Sequence, residues 1–283
     1  MPAAQLRRLA RDQFRRVDDV YRSCTAAMRV LPDFLIIGEA KCGTTALYDH
    51  INAHELVLQA MEKEVHFFDL HYFRGLDWYR SQFPLMWRAR RNGARRVLTG
   101  EASPYYMFHP HAPERIKATL PGVKLIAMLR NPVERAYSHY QHEVRRQHET
   151  LSFAAAIDAE PGRLQGELER MIENPRYNSR EHRWHAYATR GIYVDSLQKI
   201  MRLFDREQVL ILRSEDYFAA PDATLNRVLD FLDLPRRQPS PVVRRNEGSY
   251  AAIDSRLRRR LVDFFAPHNA RLHDFLGVDF GWN

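Results

Sequence analysis

Residues 38–47, with the sequence GEAKCGTTAL, have the residue types and spacing of a phosphate-binding loop. Gly38 and Gly43 follow a short apolar run and precede Thr44 and Thr45. A glycine-flanked turn that runs into a helix points backbone N–H groups at an anion, and the helix dipole adds a favourable field. Lys41 adds a positive charge at the centre of the loop. The pattern predicts that Ala40, Lys41, Cys42, Gly43, Thr44 and Thr45 form a cradle for phosphate.

The loop departs from the loop of a nucleoside triphosphatase at two places. The Walker A pattern is GxxxxGK[ST], in which the lysine contacts the β- and γ-phosphates and the Ser/Thr binds Mg²⁺. Here Thr44 stands where that lysine should be. The strand that should end in a metal-binding aspartate, at residues 123–129, is followed by Arg130 instead. The sequence therefore favours a phosphate site without a metal, or a strand-to-helix turn that binds nothing.

Arg130 and Ser138 form a second candidate phosphate element. Arg130 follows a strongly apolar strand, and ligand crevices of α/β proteins open at the carboxyl ends of strands. Ser138 lies about two helical turns further on, so both side chains face the same side. An arginine and a hydroxyl placed in this way can bind a second phosphate. The alternative is an ion pair between Arg130 and Glu134 at the start of the helix.

Strands alternate with helices along the chain. Because such alternation is typical of a parallel sheet covered on both faces, we predict an α/β fold with a single P-loop-like domain and a central, mostly parallel sheet flanked by helices. That domain would span residues 31–283, with a polar insertion or lid at 150–190, broken at Pro161-Gly162 and Asn174-Pro175. Residues 1–30 would form a basic helical segment. The predicted strands are at residues 34–37, 56–60, 96–99, 123–129 and 208–212.

Composition limits the environment and the ligand. Two cysteines exclude a disulfide framework, and no apolar run approaches the roughly 20 residues that cross a membrane, so we expect a cytoplasmic protein. The net charge of +8 favours an anionic ligand. The arginines of residues 1–30 fit a solvated helix or a peripheral membrane contact. No nucleic-acid module and no zinc-type spacing of histidines is found, so we expect neither a nucleic-acid partner nor a metal.

Four segments in order, together with the C-terminus, resemble one enzyme family. The segments are residues 38–45, 63–69, 100–105 and 129–138, and the ending is GVDFGW at 277–282. They resemble the sulfotransferases that use 3′-phosphoadenosine 5′-phosphosulfate (PAPS), in particular the branch with the heparan sulfate 3-O- and N-sulfotransferases, and a bacterial member of it. The resemblance implies that the first loop binds the 5′-phosphosulfate and that Arg130 and Ser138 bind the 3′-phosphate.

The resemblance also implies a loop near the C-terminus that closes over the nucleotide. Residues 244–250, with the sequence RRNEGSY, occupy that region, so Gly248, Ser249 and Tyr250 are candidate nucleotide contacts. The family pins this loop with a disulfide, and this chain has neither of the two cysteines there.

Sulfuryl transfer to a hydroxyl needs a base, an in-line arrangement and a positive charge at the departing phosphate. Lys41, inside the phosphate cradle, is the candidate for the charge. The resemblance assigns the base to Glu64, and His66 is the alternative base. His66 and Asp69 would otherwise orient the acceptor or tune Glu64. If residues 64–68 are extended, Glu64, His66 and Phe68 share one face.

The sequence gives less information about the sulfate acceptor than about the sulfate donor. Heparan-modifying members carry a lysine where this chain has Ala102, which argues against heparan sulfate. We expect a hydroxyl, or less readily an amine, of a glycan, glycolipid or other metabolite. Two other functions fit less well, a P-loop nucleotide kinase or NTPase with a degenerate Walker A loop, and a binding protein for nucleic acid or anionic membrane. Six cationic residues could replace the missing lysine: Lys63, Arg74, Arg80, Arg176, Arg180 and Arg183.

Overall fold

The computed structural model describes residues 18–89, 97–236 and 251–282, and within them the chain builds a parallel sheet of five strands in the order β2-β3-β1-β4-β5. Every pairing is parallel. This confirms the predicted α/β class, and each predicted strand is present with its bounds shifted by one to three residues. The strands are β1 (Phe34–Gly38), β2 (Val57–Gln59), β3 (Leu98–Ala102), β4 (Lys124–Leu129) and β5 (Val209–Arg213).

The central strands are apolar on both faces because helices cover both sides of the sheet. Every residue of β1 and β3 is buried. Successive residues of β1 enter opposite cores, Leu35 on one side and Ile36 on the other, as the two-residue period of a strand requires. Gly100 of β3 lies against β1 so closely that an added Cβ would meet the Phe34 ring at 2.5 Å, so this position needs glycine.

Helices connect the strands and cover the two faces. Asn131 caps the helix behind β4, because its side chain accepts hydrogen bonds from the N–H groups of Val133 and Glu134, and Pro132 occupies the first turn. The helices are α1 (Thr44–Asn52), α2 (Leu76–Ser81), α3 (Met86–Ala89), α4 (Ala112–Thr119), α5 (Pro132–Arg145), α6 (Phe153–Leu164), α7 (Glu167–Glu173), α8 (Arg180–Trp184), α9 (Tyr193–Leu203), α10 (Ser214–Ala219), α11 (Pro221–Phe231) and α12 (Ser255–Leu276).

The order of the strands places a crevice between β1 and β4. After β1 the chain builds β2 and β3 on one side, and then crosses to β4 and β5 on the other. The loops that leave the carboxyl ends of β1 and β4 therefore diverge, and ligands bind at such switch points in α/β sheets. The predicted phosphate loop and Arg130 leave the sheet at this point.

The region at residues 150–190 differs in one respect from the prediction. Pro161-Gly162 does not break a helix, because α6 continues through Pro161 to Leu164. Asn174-Pro175 does end one, since α7 stops at Glu173. The region folds as α6, α7 and α8 beside α5, and whether it acts as a lid stays a prediction, as does the division of the chain at residue 31.

The predicted helical segment at residues 1–30 lies partly outside the described residues, and within them residues 18–24 are helical. Among the helices that the structure describes, none has the length and apolar character needed to cross a membrane.

Candidate active site

A cavity of about 1210 Å³ opens at the crevice between β1 and β4. Its walls come from the phosphate loop, the segment after β2, α5, α8 and the start of α10. It brings together most of the residues that the sequence singled out: Ala40, Lys41, Gly43, Thr44, Thr45, Glu64, His66, Arg130 and Ser138. Cys42 and Asp69 are buried behind the wall, Cys42 with its Sγ 3.9 Å from the carbonyl of Ala40.

The phosphate loop has the backbone of an anion site. Gly43 begins α1 with φ of 91°, and no side chain caps the first turn, so its N–H groups face the cavity end of the helix. A Cβ on Gly43 would meet the Phe218 ring at 2.9 Å, so both the conformation and the space require glycine. Burial lowers the pKa of Lys41 to about 8, and the positive charges of Arg145 and Arg130 act in the same direction.

Arg130 is directed at the phosphate loop. Its Nη1 donates a hydrogen bond of 3.3 Å to the Lys41 carbonyl. Glu134 instead pairs with Arg258, at 2.6 Å, so the predicted alternative of a helix-start ion pair with Arg130 is wrong. Ser138 lines the same cavity two turns along α5.

Glu64, His66 and Asp69 form a chain of hydrogen bonds. The His66 ring lies between two carboxylates, with Nδ1 2.8 Å from Asp69 Oδ2 and Nε2 3.2 Å from Glu64 Oε2. Asp69 is buried, whereas the Glu64 side chain is 40% exposed and reaches the cavity. The carboxylate nearer to solvent can therefore meet a ligand, while the buried one orients the ring.

The contacts within this group of hydrogen-bonded side chains determine the charges of Glu64 and His66. Burial disfavours the ionised Glu64, but the hydrogen bond from His66 and the charge of Lys63 outweigh it and lower the pKa to about 2. Burial likewise opposes a charged His66, and the hydrogen bonds to Asp69 and Glu64 raise its pKa to about 9. At neutral pH Glu64 is thus a carboxylate and His66 an imidazolium with both N–H groups engaged.

Residues 64–68 are not extended, so the condition under which Glu64, His66 and Phe68 would share one face is not met. His66 has φ of 53°, and a π-helical turn begins directly after it (Phe67–His71). The left-handed residue turns the chain, so that Glu64 and His66 face the cavity while Phe68 is fully buried in the core. Tertiary hydrogen bonds to Glu101 of β3 and to Ser103 directly after it hold this conformation.

Lys63, one of the six residues that could replace the missing lysine, has a further contact that the sequence did not indicate. Its Nζ lies 2.7 Å from Thr45 Oγ1 and 2.6 Å from Glu64 Oε1. It therefore connects the first turn of α1 to the Glu64 carboxylate. Its place directly before Glu64 was the available signal, but the contact with Thr45 depends on how β2 and α1 pack.

Glu39 and Arg190 form a buried ion pair that sequence reasoning missed. Arg190 Nε lies 2.6 Å from Glu39 Oε1, and the side chains are 4% and 1% exposed. Glu39 Oε1 also accepts the Ala40 N–H, at 2.6 Å. The pair fastens the phosphate loop to the segment after α8. The two residues are 151 positions apart, so no local spacing could have indicated it.

The wall opposite Glu64 is formed by α5 and α8. Glu143 is almost fully buried there, and His148 Nδ1 lies 2.8 Å from its Oε2. Burial and nearby cationic groups lower the pKa of His142 to about 4. Half-buried Trp184 lines the cavity and stacks on His148, with ring centroids 4.0 Å apart and planes 12° from parallel.

Ala102, at the position where the resemblance implies a lysine in heparan-modifying enzymes, is fully buried. Of the six residues that could replace that lysine, Lys63 and Arg183 line the cavity. Arg74 and Arg176 instead lie over aromatic rings, those of Trp78 and Phe73. The remaining two are also engaged near other side chains, Arg80 with Asp77 and Arg180 with Trp184.

The predicted closing loop lies outside the described residues, including Gly248, Ser249 and Tyr250. The three residues that follow it, Ala251, Ala252 and Ile253, line the cavity. Tyr137 Oη fixes this segment by donating a hydrogen bond of 2.7 Å to the Ala251 carbonyl. In the part of the chain that the structure describes, no group of three His, Cys, Asp or Glu side chains could hold a metal ion.

Comparison with known proteins identifies the family of this chain. The model of the sulfotransferase domain family matches residues 31–247. Mouse heparan sulfate glucosamine 3-O-sulfotransferase 3B1 is 29% identical in an alignment 282 positions long, which covers 91% of this chain and 66% of that protein. Human heparan sulfate glucosamine 3-O-sulfotransferase 6 is 30% identical in an alignment 278 positions long, which covers 90% of this chain and 74% of that protein. The chain thus spans just under two thirds of the length of the 3B1 relative.

A solved bacterial structure has the same fold. The sulfotransferase from Alicyclobacillus acidocaldarius superposes with a TM-score of 0.68 at 29% identity, covering 89% of this chain and 99% of that one. The resemblance inferred from the four motifs is therefore confirmed. The family model covers well over half of the chain, and its range includes the phosphate loop, Glu64 and Arg130. The chain belongs to the sulfotransferase domain family.

Proposed function

We propose that the protein transfers a sulfuryl group from PAPS to a hydroxyl group of an acceptor. One observation carries the proposal: a phosphate loop with its own lysine shares a single cavity with an ionised carboxylate, Glu64. Lys41 and Glu64 supply the positive charge and the base that sulfuryl transfer requires.

The donor set of the cavity fits the two phosphate ends of such a nucleotide. Lys41, Thr44 and Thr45 with the first N–H groups of α1 would hold the 5′-phosphosulfate. Arg130 and Ser138 would hold the 3′-phosphate. A cavity of about 1210 Å³ exceeds the usual upper range of roughly 1,000 Å³ for a single ligand, which leaves room for an acceptor.

Each residue then has a defined part in the transfer. Glu64 takes the proton of the acceptor hydroxyl, whose oxygen forms the new bond to sulfur. The bond between sulfur and the bridging phosphate oxygen breaks, and that oxygen keeps the electron pair. Lys41 stabilises the negative charge that develops on this oxygen. The displacement is in line, and the balance of protons and charges needs no metal.

Glu64 is favoured over His66 as the base. Both nitrogens of the His66 ring contact carboxylates, and its pKa of about 9 keeps it protonated at neutral pH. Glu64 is ionised, although a pKa of about 2 makes it a weak base. An acceptor hydroxyl that takes over the contact with Lys63 or His66 would raise this pKa and strengthen the base.

The acceptor is proposed to be a hydroxyl-bearing glycan, glycolipid or other metabolite. The wall of α5 and α8 offers Arg146, Arg183 and Trp184 beside the carboxylate of Glu143. Cationic and aromatic side chains together suit an acceptor with an anionic group and a ring.

The direct test is to incubate the protein with PAPS and a panel of acceptors and to search for sulfated product by mass spectrometry. Glu64→Gln is expected to lower turnover by about 10²–10⁴-fold, the usual contribution of a general base, while the affinity for 3′-phosphoadenosine 5′-phosphate (PAP) stays near wild type. Glu62→Gln, at an exposed neighbouring position, is the matched control. Full activity of Glu64→Gln would show that another group is the base.

A thermal-shift comparison separates this proposal from a kinase or NTPase. A ligand at about 100 times its Kd stabilises a protein by about 2.7 kcal/mol. PAP is expected to raise the melting temperature, and ATP with Mg²⁺ to raise it less. Stronger stabilisation by ATP with Mg²⁺ would favour the P-loop kinase or NTPase instead.

A further inference from the structure

The backbone amides of residues 65–68 all donate to side chains of β3 or of the segment that follows it. The N–H of Val65 donates to Glu101 Oε2 at 3.1 Å. The N–H of His66 donates to Ser103 Oγ, also at 3.1 Å, and the Ser103 hydroxyl in turn donates to Glu101 Oε2 at 2.7 Å. The segment that carries the base is therefore bonded through its backbone to a neighbouring motif.

The phenol oxygen of Tyr106 accepts hydrogen bonds from the next two backbone amides. The N–H groups of Phe67 and Phe68 lie 2.8 and 3.4 Å from its phenol oxygen. The Tyr106 hydroxyl donates to Glu101 Oε1 at 3.0 Å, which turns the lone pairs of its oxygen towards the amides. Glu101 is thus the common acceptor that orients the two hydroxyl groups.

Glu101 lies in the core with no part of it exposed. A buried carboxylate is stable only when its oxygens accept enough hydrogen bonds. The second donor to its Oε1 is Tyr79, whose hydroxyl lies at 2.7 Å. Tyr79 also stacks on Phe67 through its ring, but its hydroxyl makes no contact with the backbone of residues 65–68 among the hydrogen bonds of the described chain.

The four hydrogen bonds donated by these backbone amides hold His66 in an unusual backbone conformation. Its φ of 53° lies in the left-handed region, which a residue other than glycine occupies only when its surroundings hold it there. This conformation directs the ring between Glu64 and Asp69, at 3.2 and 2.8 Å. A segment free to relax towards an extended conformation would not keep both distances.

We propose that Glu101, Ser103 and Tyr106 act together as an amide template, which fixes residues 65–68 and thereby sets the geometry of Glu64, His66 and Asp69. None of the three lines the cavity, so they are positioning residues that act through the base. The inference rests on the proposed function in treating Glu64 as the base. The proposal gives the motif GEASPYY at residues 100–106 a structural role through Glu101, Ser103 and Tyr106. Ala102 of the same motif is buried and has no part in this role.

Two buried tyrosines supply a matched pair for the test. Tyr106→Phe and Tyr79→Phe each remove one hydroxyl that donates to Glu101 Oε1, and both rings are fully buried. Only Tyr106→Phe also removes the acceptor of the Phe67 and Phe68 amides. A role confined to stability predicts similar effects of the two substitutions, whereas the amide template predicts different ones.

Three quantities would be measured for both variants: kcat, the affinity for PAP by calorimetry, and the titration of the His66 ring by NMR. Tyr106→Phe is expected to lower kcat by about 10²-fold, as a displacement of about 1 Å does in an active site, with the Kd for PAP within about twofold. The pKa of His66 should fall from about 9 towards its ordinary value of about 6.5. Tyr79→Phe should leave kcat and the His66 titration near wild type.

Equal losses of kcat in the two variants, or an unchanged His66 titration in Tyr106→Phe, would overturn the proposal. If Tyr106→Phe does not fold, Ser103→Ala removes the acceptor of the His66 amide and Ser103→Thr should restore it. Absence of PAPS turnover in the wild-type protein would instead overturn the proposed function. The His66 titration needs no turnover, so it decides the amide template in either case.

Discussion

Lys41 and Glu64 carry the two charges that the reaction needs, and each has a pKa far from its ordinary value. Lys41 loses basicity because it is buried near other cations. Glu64 loses basicity because Lys63 and His66 stabilise its ionised form more than burial destabilises it. The two charged forms coexist between about pH 2, the pKa of Glu64, and about pH 8, the pKa of Lys41.

At the residue scale, the pH dependence of kcat/KM separates the two candidate bases. With Glu64 as the base, kcat/KM should be level near neutral pH and fall above about pH 8, because Lys41 is active when protonated and loses its proton there. With His66 as the base, kcat/KM should instead rise from neutral pH to a maximum between about pH 8 and about pH 9, where loss of the Lys41 proton begins to oppose loss of the His66 proton. Initial rates in a constant-ionic-strength buffer series distinguish a falling limb from a rising one.

Substitution of Glu64 and of His66 tests independently which of the two residues is the base. Glu64→Gln should lower kcat more than His66→Gln, because the glutamine at position 64 cannot accept the proton, whereas loss of His66 only disturbs its orientation. Single-turnover rates with saturating PAPS are the measurement. A larger loss in His66→Gln would make the ring the base and Glu64 its partner.

At the scale of elements, the phosphate loop depends on a contact from a distant part of the chain. Arg190, in the turn before α9, pairs with Glu39 in a site that excludes solvent. Arg190 also donates to the Pro104 carbonyl at 3.2 Å and lies over the Tyr105 ring. One side chain therefore joins the loops after β1 and β3 to the segment after α8.

Arg190→Met should destabilise the protein by about 3–5 kcal/mol, since it leaves the Glu39 carboxylate buried without its partner. Arg271→Met breaks the exposed pair with Asp195 and should cost no more than about 1 kcal/mol. Urea unfolding at pH 7 compares the two free energies. Equal, small losses would mean that the Glu39 carboxylate becomes hydrated or protonated at little cost.

The secondary-structure elements also show which parts of the fold and of the site could be predicted from the sequence. The strands and the caps of α5 follow from local patterns, and the phosphate loop from the spacing of Gly38 and Gly43. The left-handed His66 could not be predicted, because its conformation depends on hydrogen bonds to side chains 36 to 39 residues away. Local propensity favours an extended run at residues 64–68, and these tertiary contacts override it.

At the scale of the whole molecule, positive charge is concentrated around one cavity. The chain has a net charge of +8, and the cavity wall includes Lys41, Lys63, Arg130, Arg146 and Arg183. The cavity lining has seven cationic side chains and four carboxylates. A concave wall with an excess of positive charge attracts an anionic ligand from a distance and raises its association rate.

Binding of PAP should therefore weaken with salt. Raising ionic strength from about 0.1 to about 1 M shortens the Debye length from about 10 to about 3 Å, and we expect the Kd to rise about tenfold. Arg130→Gln should reduce this dependence, and Arg271→Gln, on the outer face of α12, should leave it unchanged. Calorimetric titrations at several NaCl concentrations measure it. If the Kd for PAP depended equally on salt in the wild type, Arg130→Gln and Arg271→Gln, the effect would come from the overall charge of the protein and not from Arg130.

Trp184 also gives the cavity an optical reporter. The chain has four tryptophans, and within the described residues Trp184 is the one that lines the cavity. Its indole stacks on His148, so a compound that enters beside α8 would change both the polarity around the ring and its quenching by the imidazole. Fluorescence could thus rank candidate acceptors by binding alone, before any of them has been converted to a sulfated product.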